Sequence, residues 1–531
     1  MSPNHVVLIY PHQGFSGTYV RHQPLSLIYV SAEIVKSGFD VTILDTRVQP
    51  DWQDRLRQLI ASGDVLCVGI SVMSGSPINN AIEIGRTVKA LDQTVPVIWG
   101  GPHATFSADS ILRDEPSADY AVSGYGAEIF DQLCKSIRDG KVPFEIPGIT
   151  WREGAEIKCN PADGRAFEFI HFEDIPYHLI NDYSVYGQID QDKRIISMYS
   201  AHGCPYQCSF CSSPAQYSSI KGKKWVPLGA DYVVDHIEHV VDKLGANYIY
   251  FIDDDSFPKL KHVEDIIDQL AARKISVGLG FRGARINEIK KMDDAFLNKL
   301  AAAGTDIMHI GAESGSDRIL NLIRKDCTAD EIIAANRKLA RHPQITAAYN
   351  FMMGVPTETF EELKKTRDLM LQLVDDHSNC IVFPPNKFRP LPGTELYTLA
   401  QKEWDYQMPN TLEEWANIEV EADISNQWYE ARIQRFSNLM LICSYFVDDK
   451  ITKMSEGRTL FLKIIRVLSK LYKPFAMLRL KHGWSRVLIE YELYRLMTRI
   501  MVYMQTRSKN SDAVLAGTQS NVRQQMPLKS S

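Results

Sequence analysis

Three cysteines lie close together in the stretch SAHGCPYQCSFCSS, which spans residues 200–213. Cys204, Cys208 and Cys211 follow Gly203 in a C-x3-C-x2-C spacing. Thiols crowded on one loop can form disulfides, bind zinc or hold an iron–sulfur cluster. Structural zinc normally takes four ligands in paired short spacings, and ferredoxin-type [4Fe–4S] sites use four cysteines. Three cysteines would satisfy three irons of such a cluster and leave the fourth iron open to a substrate or cofactor.

The composition makes a disulfide framework the weakest of these three interpretations. The 531 residues include nine cysteines, an odd number, and the six outside this loop are scattered singly. Free thiols fit a reducing compartment, and neither a secretory signal nor an apolar run of about 20 residues is evident. We therefore expect a cytoplasmic protein. The net charge of -6 argues against bulk nucleic-acid binding, which favours a strongly basic domain.

Short apolar runs alternate with amphipathic segments over residues 1–145. Runs such as HVVLIYP and DVLCVGISVM indicate buried strands, whereas LSLIYVSAEIVKSG, with apolar residues at helical spacing, indicates a helix. Strands that alternate with helices predict an α/β domain built on a doubly wound, Rossmann-like parallel sheet. Ligands of such folds bind at the carboxyl ends of the strands.

Small residues follow three of these predicted strands, in the turns SVMSGS, GGPHAT and SGYGAE. Small residues let the backbone approach a ligand closely, although a tight turn explains any one of these segments equally well. The candidate cofactor-binding residues in the three turns are Ser71, Ser74, Gly100, Gly101, Gly124, Gly126 and Glu128. As a set, the turns resemble the cobalamin-binding domain that precedes many radical S-adenosylmethionine (SAM) enzymes.

One motif of other cobalamin proteins is missing from this domain. Their Asp-x-His-x-x-Gly signature supplies a histidine ligand to cobalt, but here Tyr10 and Phe15 stand where Asp and Gly would flank His12. The resemblance therefore implies no cobalt ligand from that motif, as is common in this enzyme class, and His12 is expected to be a turn residue.

The cysteine loop itself resembles the signature of the radical SAM superfamily, which is C-x3-C-x2-C with an aromatic residue before the last cysteine. The following segments resemble that superfamily's partial (β/α) barrel. Five predicted strands end in polar groups, at FIDDDSF, FRGARIN, GAESGSD, MGVPTET and FPPNKFRP. Each could alone be a helix cap or a turn, but polar groups at successive barrel strands indicate a reaction chamber. In this order they resemble the B12-dependent group of the superfamily.

The resemblance implies a [4Fe–4S] cluster held by Cys204, Cys208 and Cys211, whose open iron binds the amino and carboxylate groups of SAM. It places Phe210 on the loop that meets the adenine. Acids and an arginine are both required, because SAM carries an ammonium and a carboxylate. The candidates for holding the amino, carboxylate and ribose groups are Asp254, Arg285, Glu313 and Ser314.

The remaining segments complete the predicted organisation. Residues 146–192 have little periodicity and are expected to form a linker. The barrel is expected over 193–400 and a helical domain over 401–505, before a disordered tail at 506–531. In the C-terminal helices, basic residues recur opposite an apolar stripe, and Pro474 is expected to break the helix in two. These helices either cap the barrel mouth, with the basic face in solvent, or lie on an anionic membrane.

These features together imply a cobalamin-dependent radical SAM enzyme. Methyl transfer to an unactivated carbon, or to a phosphinate phosphorus, is the leading hypothesis, with a [4Fe–4S] cluster, SAM and methylcobalamin as cofactors. The expected partners are a small-molecule or lipid-like substrate and an electron donor such as flavodoxin or ferredoxin. Oxidative cyclisation or ring rearrangement by the same architecture is the alternative. A cobalamin-binding sensor would leave the cysteine loop unused, and a structural zinc protein would use it without catalysis.

Overall fold

The computed structural model of the chain describes residues 3–12, 22–143, 145–164, 167, 169–186, 193–218, 220–404, 406–418, 429–451 and 460–496. The strands are β1 (His5–Tyr10), β2 (Asp40–Asp45), β3 (Val65–Ser71), β4 (Val97–Gly100), β5 (Tyr120–Val122), β6 (Ile149–Glu153), β7 (Glu156–Cys159), β8 (Ile195–Met198), β9 (Ala201–Gly203), β10 (Trp225–Pro227), β11 (Tyr248–Phe251), β12 (Gly278–Ala284), β13 (Thr305–Glu313), β14 (Thr346–Met353), β15 (Cys380–Val382) and β16 (Asn386–Lys387).

The helices are α1 (Leu25–Lys36), α2 (Trp52–Ala61), α3 (Pro77–Leu91), α4 (Pro102–Asp114), α5 (Gly126–Arg138), α6 (Ser212–Ser218), α7 (Ala230–Leu244), α8 (Leu260–Ala272), α9 (Ile286–Ile289), α10 (Asp294–Ala302), α11 (Asp317–Leu322), α12 (Ala329–Leu339), α13 (Phe360–Asp376), α14 (Glu395–Glu403), α15 (Leu412–Ala416), α16 (Ala431–Cys443) and α17 (Leu460–His482).

The first sheet has the strand order β2-β1-β3-β4-β5-β6-β7. Strands β1 to β5 are parallel, whereas β6 and β7 are antiparallel to their neighbours. The parallel part is doubly wound, which confirms the predicted fold class, and its order reverses between β1 and β3. Doubly wound sheets bind ligands at such a reversal, outside the carboxyl ends of the strands.

The apolar runs of the sequence become strands that are covered by helices on both faces, as is typical of parallel sheets. Strand β1 buries Val6, Val7, Leu8 and Ile9 almost completely. Val6 and Leu8 join a core that includes α1 and α5, while Val7 and Ile9 join a core that includes α2 and α3. Alternate residues therefore face opposite helical layers, which is the period of two expected of a strand.

The segment predicted as a linker contains more regular structure than expected. Strands β6 and β7 form a hairpin that extends the first sheet past residue 145. Three 3-10 turns follow, at Phe172–Asp174, Tyr177–Leu179 and Tyr183–Val185. The hairpin was missed because its apolar side chains are few, although Gly154 at its turn is a recognisable signal. The division of the chain at residue 145 therefore does not coincide with the edge of this sheet.

The second sheet runs β15-β14-β13-β12-β11-β8, all parallel, and β16 pairs with β14. Neighbours in space are mostly neighbours in sequence, as in a (β/α) barrel. Within the described ranges β8 and β15 do not pair with each other, so the barrel is partial. The chain before the cysteine loop forms two short strands: β8 ends at Met198, and β9, which ends at Gly203, pairs antiparallel with β10.

The C-terminal region is shared between the two domains rather than forming one cap. Helix α15 packs on α3 and α4, while α16 and α17 pack on α13 beside the second sheet. Helix α17 continues through Pro474, so the predicted break at this residue is wrong. A proline removes one backbone hydrogen bond of a helix, and the packing of Ala476 and Leu480, both fully buried, holds the helix together.

The sequence left open whether the C-terminal helices contact a membrane, and it predicted a disordered tail. No helix of the described ranges has the length and apolar content needed to cross a membrane. The predicted disordered tail, residues 506–531, lies outside the described residues.

Trp415 attaches the C-terminal chain to the first domain, where it is 4% exposed. We expect Trp415→Ala to lower the free energy of unfolding by about 3 kcal/mol, near the lower end for loss of a buried aromatic side chain, because the short α15 can detach. Urea denaturation measures the change. Glu413→Ala, at an exposed position of the same helix, is the matched control. An unchanged midpoint for Trp415→Ala would show that this contact adds no stability.

His236 on α7 makes the stability depend on pH. Its Nε2 lies 2.8 Å from the Tyr177 hydroxyl, and burial, helped by His239 and His171, lowers the pKa of His236 to about 3. The folded form therefore binds fewer protons than the unfolded form below pH 6.5, so stability falls as the pH decreases through this window. At pH 5 the loss is roughly 2 kcal/mol.

The substitution His236→Phe should remove this dependence on pH, because phenylalanine does not titrate. The free energy of unfolding in urea, measured at pH 7 and at pH 5, would then fall less in the variant than in the natural protein. An equal fall in both proteins would assign the acid sensitivity to other groups.

Candidate active site

A chamber of about 470 Å³ lies between the two domains. The first domain lines it with residues near the carboxyl ends of β3, β4 and β5, and the second with residues near the ends of β8, β11 and β12. The carboxyl edges of both parallel sheets therefore open into the same space. Doubly wound sheets and barrels both place their ligands at these edges.

The first-domain wall contains six of the seven residues that the sequence indicated. Those that line the chamber are Ser71, Gly100, Gly101, Gly124, Gly126 and Glu128. The segments GGPHAT and SGYGAE are not loops throughout, because α4 begins at Pro102 and α5 begins at Gly126. The chamber is therefore bounded by helix N-termini as well as by turns, and their backbone amides favour negatively charged groups.

Close packing explains why one of these positions is glycine. Gly101 has a φ of 89°, and a Cβ at this residue would lie 2.9 Å from the backbone nitrogen of Val72. The neighbouring turn is tied to it, because the Gly124 N–H donates to Thr105 Oγ1 at 3.1 Å. The two turns thus hold each other at a fixed spacing.

Ser74 is the one predicted residue of this domain that does not line the chamber. Its hydroxyl lies 3.0 Å from Nδ1 of His103, a ring that is almost fully buried. Burial lowers the pKa of His103 to about 4, so the ring is neutral near pH 7. Direct contact of Ser74 with a cofactor stays a proposal from the resemblance alone.

The second-domain wall is aromatic with two charges. His202 stacks on Tyr199 with 5.2 Å between ring centroids, and burial lowers the pKa of His202 to about 4. Asp254 accepts a hydrogen bond from the Tyr217 hydroxyl, and burial, with Asp254 nearby, raises the pKa of Tyr217 far above its usual range. Asp254 and Arg282 thus supply a carboxylate and a guanidinium to an otherwise uncharged wall.

The cysteine loop begins at the wall of the chamber. Gly203 lines the chamber with a φ of 79°, and a Cβ there would lie 2.1 Å from the Lys224 carbonyl oxygen. Just before it, the Asp253 carboxylate accepts hydrogen bonds from Ser200 N at 2.7 Å and from Ala201 N at 3.2 Å. Burial raises the pKa of Asp253 to about 6, although these donors oppose the shift. The end of β11 thereby holds the start of the loop.

The three thiols are shielded from solvent. Cys208 is buried and the other two are partly buried. Burial raises the pKa of Cys204 to about 12 and also raises the pKa of Cys211. Metal ligands are thiolates, and a thiolate forms in such surroundings only where positive charge compensates it. Arg285 supplies one such charge, since its Nη1 donates to Cys208 Sγ at 2.9 Å.

A second buried cation lies beside Arg285. The Arg285 Nη2 donates to the Lys325 carbonyl oxygen at 2.9 Å, and the Lys325 ammonium pairs with Glu313 at 3.0 Å. The Arg285 Nε is buried without a hydrogen-bond partner among the described residues. Three thiols on one loop beside two cations suit an anionic iron–sulfur cluster, whose properties depend on charge and on hydrogen bonds to sulfur.

This fit rests on the type and place of the donors rather than on a closed ligand geometry. The side chains of the described residues form no group of three His, Cys, Asp or Glu arranged to hold a metal ion.

Four residues expected to contact SAM lie outside the lining of the chamber: Phe210, Arg285, Glu313 and Ser314. Arg285 and Glu313 are bonded to Cys208 and Lys325, as described above. The Ser314 hydroxyl lies 3.2 Å from that of Thr366, and Phe210 packs against the core. The pairing of β12 with β13 and of β13 with β14 shifts register near the carboxyl ends of these strands. Their direct contact with SAM therefore remains a proposal from the resemblance alone.

Sequence reasoning assigned no role to several residues that do line the chamber. Arg282 is the most informative, because FRGARIN contains two arginines three residues apart and nothing in the pattern shows which one faces the ligand. The aromatic members were not recognisable, since tyrosines are spread through the sequence without periodicity. The tyrosines are Tyr29, Tyr125, Tyr199, Tyr217 and Tyr232, and the phenylalanines are Phe130 and Phe169.

Two family models match the chain. The model of the Radical SAM superfamily matches residues 198–370, from the end of β8 into α13. The model of the B12 binding domain matches residues 18–134, which contain most of the first sheet. The chamber lies between the two matched regions.

Known proteins resemble the chain over most of its length. An uncharacterised methyltransferase of Pyrococcus horikoshii is 26% identical over 395 residues, which are 73% of this chain and 79% of that protein. The anaerobic magnesium-protoporphyrin IX monomethyl ester cyclase of Rubrivivax gelatinosus is 24% identical over 400 residues, with corresponding coverages of 73% and 69%.

The fold is shared with a solved structure. The cobalamin-dependent SAM radical enzyme OxsB, with aqua-cobalamin and SAM bound, superposes with a TM-score of 0.67 at 17% identity. The match covers 96% of this chain and 75% of that one.

The positions of Arg282 and Arg285 predict that Arg282, and not Arg285, binds the carboxylate of SAM. If Arg282 contacts the SAM carboxylate, Arg282→Gln removes a charge-assisted hydrogen bond worth about 1.5–3 kcal/mol, and SAM binding weakens about ten- to hundred-fold. Iron content after anaerobic reconstitution should not change. Arg285→Gln is the matched control and should lower iron content, because Cys208 loses its donor. Weakened SAM binding in Arg285→Gln alone would favour the assignment made from the sequence.

Cys208 offers a separate test of the cysteine loop. Cys208→Ala should abolish SAM cleavage and reduce the bound iron, while cobalamin affinity stays nearly unchanged, because the glycine-rich turns lie on the other domain. The formation of 5'-deoxyadenosine, iron analysis and cobalamin titration measure the three properties. Cys159→Ala, on the exposed strand β7, is the control and should retain all three properties. Full iron content in Cys208→Ala would remove this residue from the ligand set.

Proposed function

We propose that this chain, which belongs to the radical SAM enzymes that carry an N-terminal B12-binding domain, is a C-methyltransferase. Its cofactors are a [4Fe–4S] cluster, SAM and cobalamin. The proposed reaction transfers a methyl group to an unactivated carbon, or to a phosphinate phosphorus, of a small-molecule or lipid-like substrate. When bound, the cluster and SAM supply a radical and cobalamin supplies the methyl group.

A single observation carries the proposal: the glycine-rich edge of the first sheet and the start of the cysteine loop face the same chamber. Gly101 and Gly203 both belong to its lining. Methyl transfer through a radical requires that the group that activates the substrate and the group that methylates it meet within a few ångströms of one carbon. One chamber bounded by both domains meets that requirement, because binding then fixes the reacting groups in place.

The chain's own residues position the reactants and exclude water. Asp254 and Arg282 offer partners for the ammonium and the carboxylate of SAM, and such charge-assisted hydrogen bonds are strong. The aromatic wall that includes Tyr199 and the neutral His202 keeps the chamber dry, which protects reactive groups from side reactions. In the first domain, Ser71 and the glycine turns leave room for a large planar ring system.

The relatives support methyl transfer and also indicate the alternative. The relative from Pyrococcus horikoshii is called a methyltransferase, whereas that from Rubrivivax gelatinosus is called a cyclase. Both span most of the chain, so either reaction is compatible with the architecture. An experiment on the cofactor itself distinguishes them before any substrate is known.

The test follows a labelled methyl group into cobalamin. The reconstituted full chain is incubated without oxygen with reduced cobalamin and SAM that carries a CD3 group. A methyltransferase should form CD3-cobalamin and S-adenosylhomocysteine, both measured by mass spectrometry, and 5'-deoxyadenosine should appear once a reductant is added. The variant Cys208→Ala is the control: it should form no 5'-deoxyadenosine, because the cluster that cleaves SAM loses one of its proposed ligands.

The opposite pattern would contradict methyl transfer. If 5'-deoxyadenosine forms while cobalamin stays unlabelled, a cyclase or a ring-rearranging enzyme is favoured. If neither product forms and the protein still binds cobalamin, the chain is better described as a cobalamin-binding sensor.

Three further expectations belong to this proposal. The electron donor is a small redox protein such as flavodoxin or ferredoxin, and the protein is cytoplasmic. The proposed organisation is a cobalamin-binding domain over residues 1–145, a barrel over 193–400 and a helical domain over 401–505, with the hairpin of β6 and β7 attached to the first of these.

A further inference from the structure

Helix α17 turns an apolar stripe outward. Six of its apolar side chains are between 42% and 73% exposed: Ile464, Val467, Leu468, Leu471, Phe475 and Leu478. Their spacing of three and four residues places them on one side of a helix. Scattered exposed apolar residues are ordinary, but a contiguous apolar patch marks an interaction surface.

The apolar stripe is not the face by which α17 packs on the protein, because the opposite face of the helix is already buried. Ala476 and Leu480 are fully buried, and the helix contacts α13 and α16. The buried Arg367 on α13 donates to the carbonyl oxygens of Leu480 and Lys481 at 3.0 and 3.1 Å. The helix is therefore fixed with its apolar stripe outward, so the stripe is not the face that packs on the second domain.

The apolar surface continues beyond the helix. Trp484, Val487, Ile489 and Leu493 are each at least half exposed. Tryptophan is enriched where proteins meet the boundary between lipid and water, because its ring is apolar and its N–H is polar.

The positive charge of α17 indicates what kind of partner binds this surface. Residues 460–482 contain six lysines and arginines and no aspartate or glutamate, and residues 483–493 add one arginine and two glutamates, although the whole chain has a net charge of -6. Lys463, Lys470 and Lys481 are exposed, and their spacing of seven and eleven residues places them along one flank of the stripe. A second copy of this helix would bring like charges together, whereas an anionic surface would attract them.

We propose that the outer face of α17, continued by residues 484–493, binds an anionic lipid surface. The apolar stripe enters the boundary between headgroups and acyl chains, and the flanking lysines contact the phosphates. The surface holds the enzyme at a membrane without crossing it. This inference goes beyond the proposed function and does not depend on which reaction the chamber performs.

The test measures sedimentation of the full chain with vesicles of phosphatidylcholine alone and of phosphatidylcholine mixed with phosphatidylglycerol. The natural protein should bind the mixed vesicles, with binding reduced by high salt, and should bind the neutral vesicles weakly. The double substitution Leu468→Asp and Leu471→Asp should reduce binding more than tenfold. Substituting Lys463, Lys470 and Lys481 with Gln should weaken binding on the order of fivefold for each lysine.

Val142→Asp is the matched control, since Val142 is also an exposed apolar residue but lies on the first domain, and it should bind like the natural protein. All variants alter exposed side chains, and circular dichroism with thermal melting checks that they fold. The lysine variant and the salt dependence provide the test if the aspartate variant does not fold.

Three results would overturn the proposal. The first is no sedimentation of the natural protein with either kind of vesicle. The second is binding that both sets of substitutions leave unchanged. The third is a dimer of the natural protein, seen by light scattering, that Leu468→Asp with Leu471→Asp converts to a monomer. That result would assign the stripe to a second copy of the chain.

Discussion

The two parallel sheets turn their carboxyl edges toward one chamber, and a hydrophobic core that is continuous across both domains keeps them there. This core includes Val6 and Leu8 of the first sheet and Ile196 and Met198 of β8. A buried hydrogen bond also joins the two domains, because the Gln23 side chain donates to the Ser197 carbonyl oxygen at 3.2 Å. Each sheet alone would offer half of a binding site. The shared core makes the two halves face each other, and the chemistry proposed for the enzyme depends on that arrangement.

Electrostatics divides the site into two layers. The second-domain wall of the chamber is rich in aromatic residues, and the half-buried His202 stays neutral near pH 7 because desolvation disfavours its charged form. Beneath the wall, Arg285 donates a hydrogen bond to the Cys208 thiol, and the buried Lys325 lies beside Arg285. Buried cations are costly unless negative charge is close. The deeper layer is therefore suited to an anionic metal cluster and the chamber to organic ligands, with Asp254 and Arg282 as the charged groups of its second-domain wall.

The C-terminal region contributes to both domains and to an outward surface. Helix α15 inserts Trp415 against the first domain, while α16 and α17 cover the second sheet. The C-terminal helices therefore contact both of the domains that form the chamber walls. The stripe of α17 remains exposed because the opposite face of the helix packs on α13. The exposed apolar surface is therefore not needed for folding.

The sequence alone determined the order and type of most elements, though not the β6–β7 hairpin or the continuity of α17, and it identified the three thiols. Parallel strands buried on both faces appear as uninterrupted apolar runs, and C-x3-C-x2-C is a local spacing, so both are visible without a structure. Only the tertiary structure decided that Arg282 faces the chamber while Arg285 bonds Cys208, and that Ser74 turns to His103. A strand end shows which polar residues are available, but a bulge or a neighbouring buried ring decides where each side chain points. The outward direction of the α17 stripe was likewise undecidable from periodicity, which defines two faces of a helix but does not say which one meets the core.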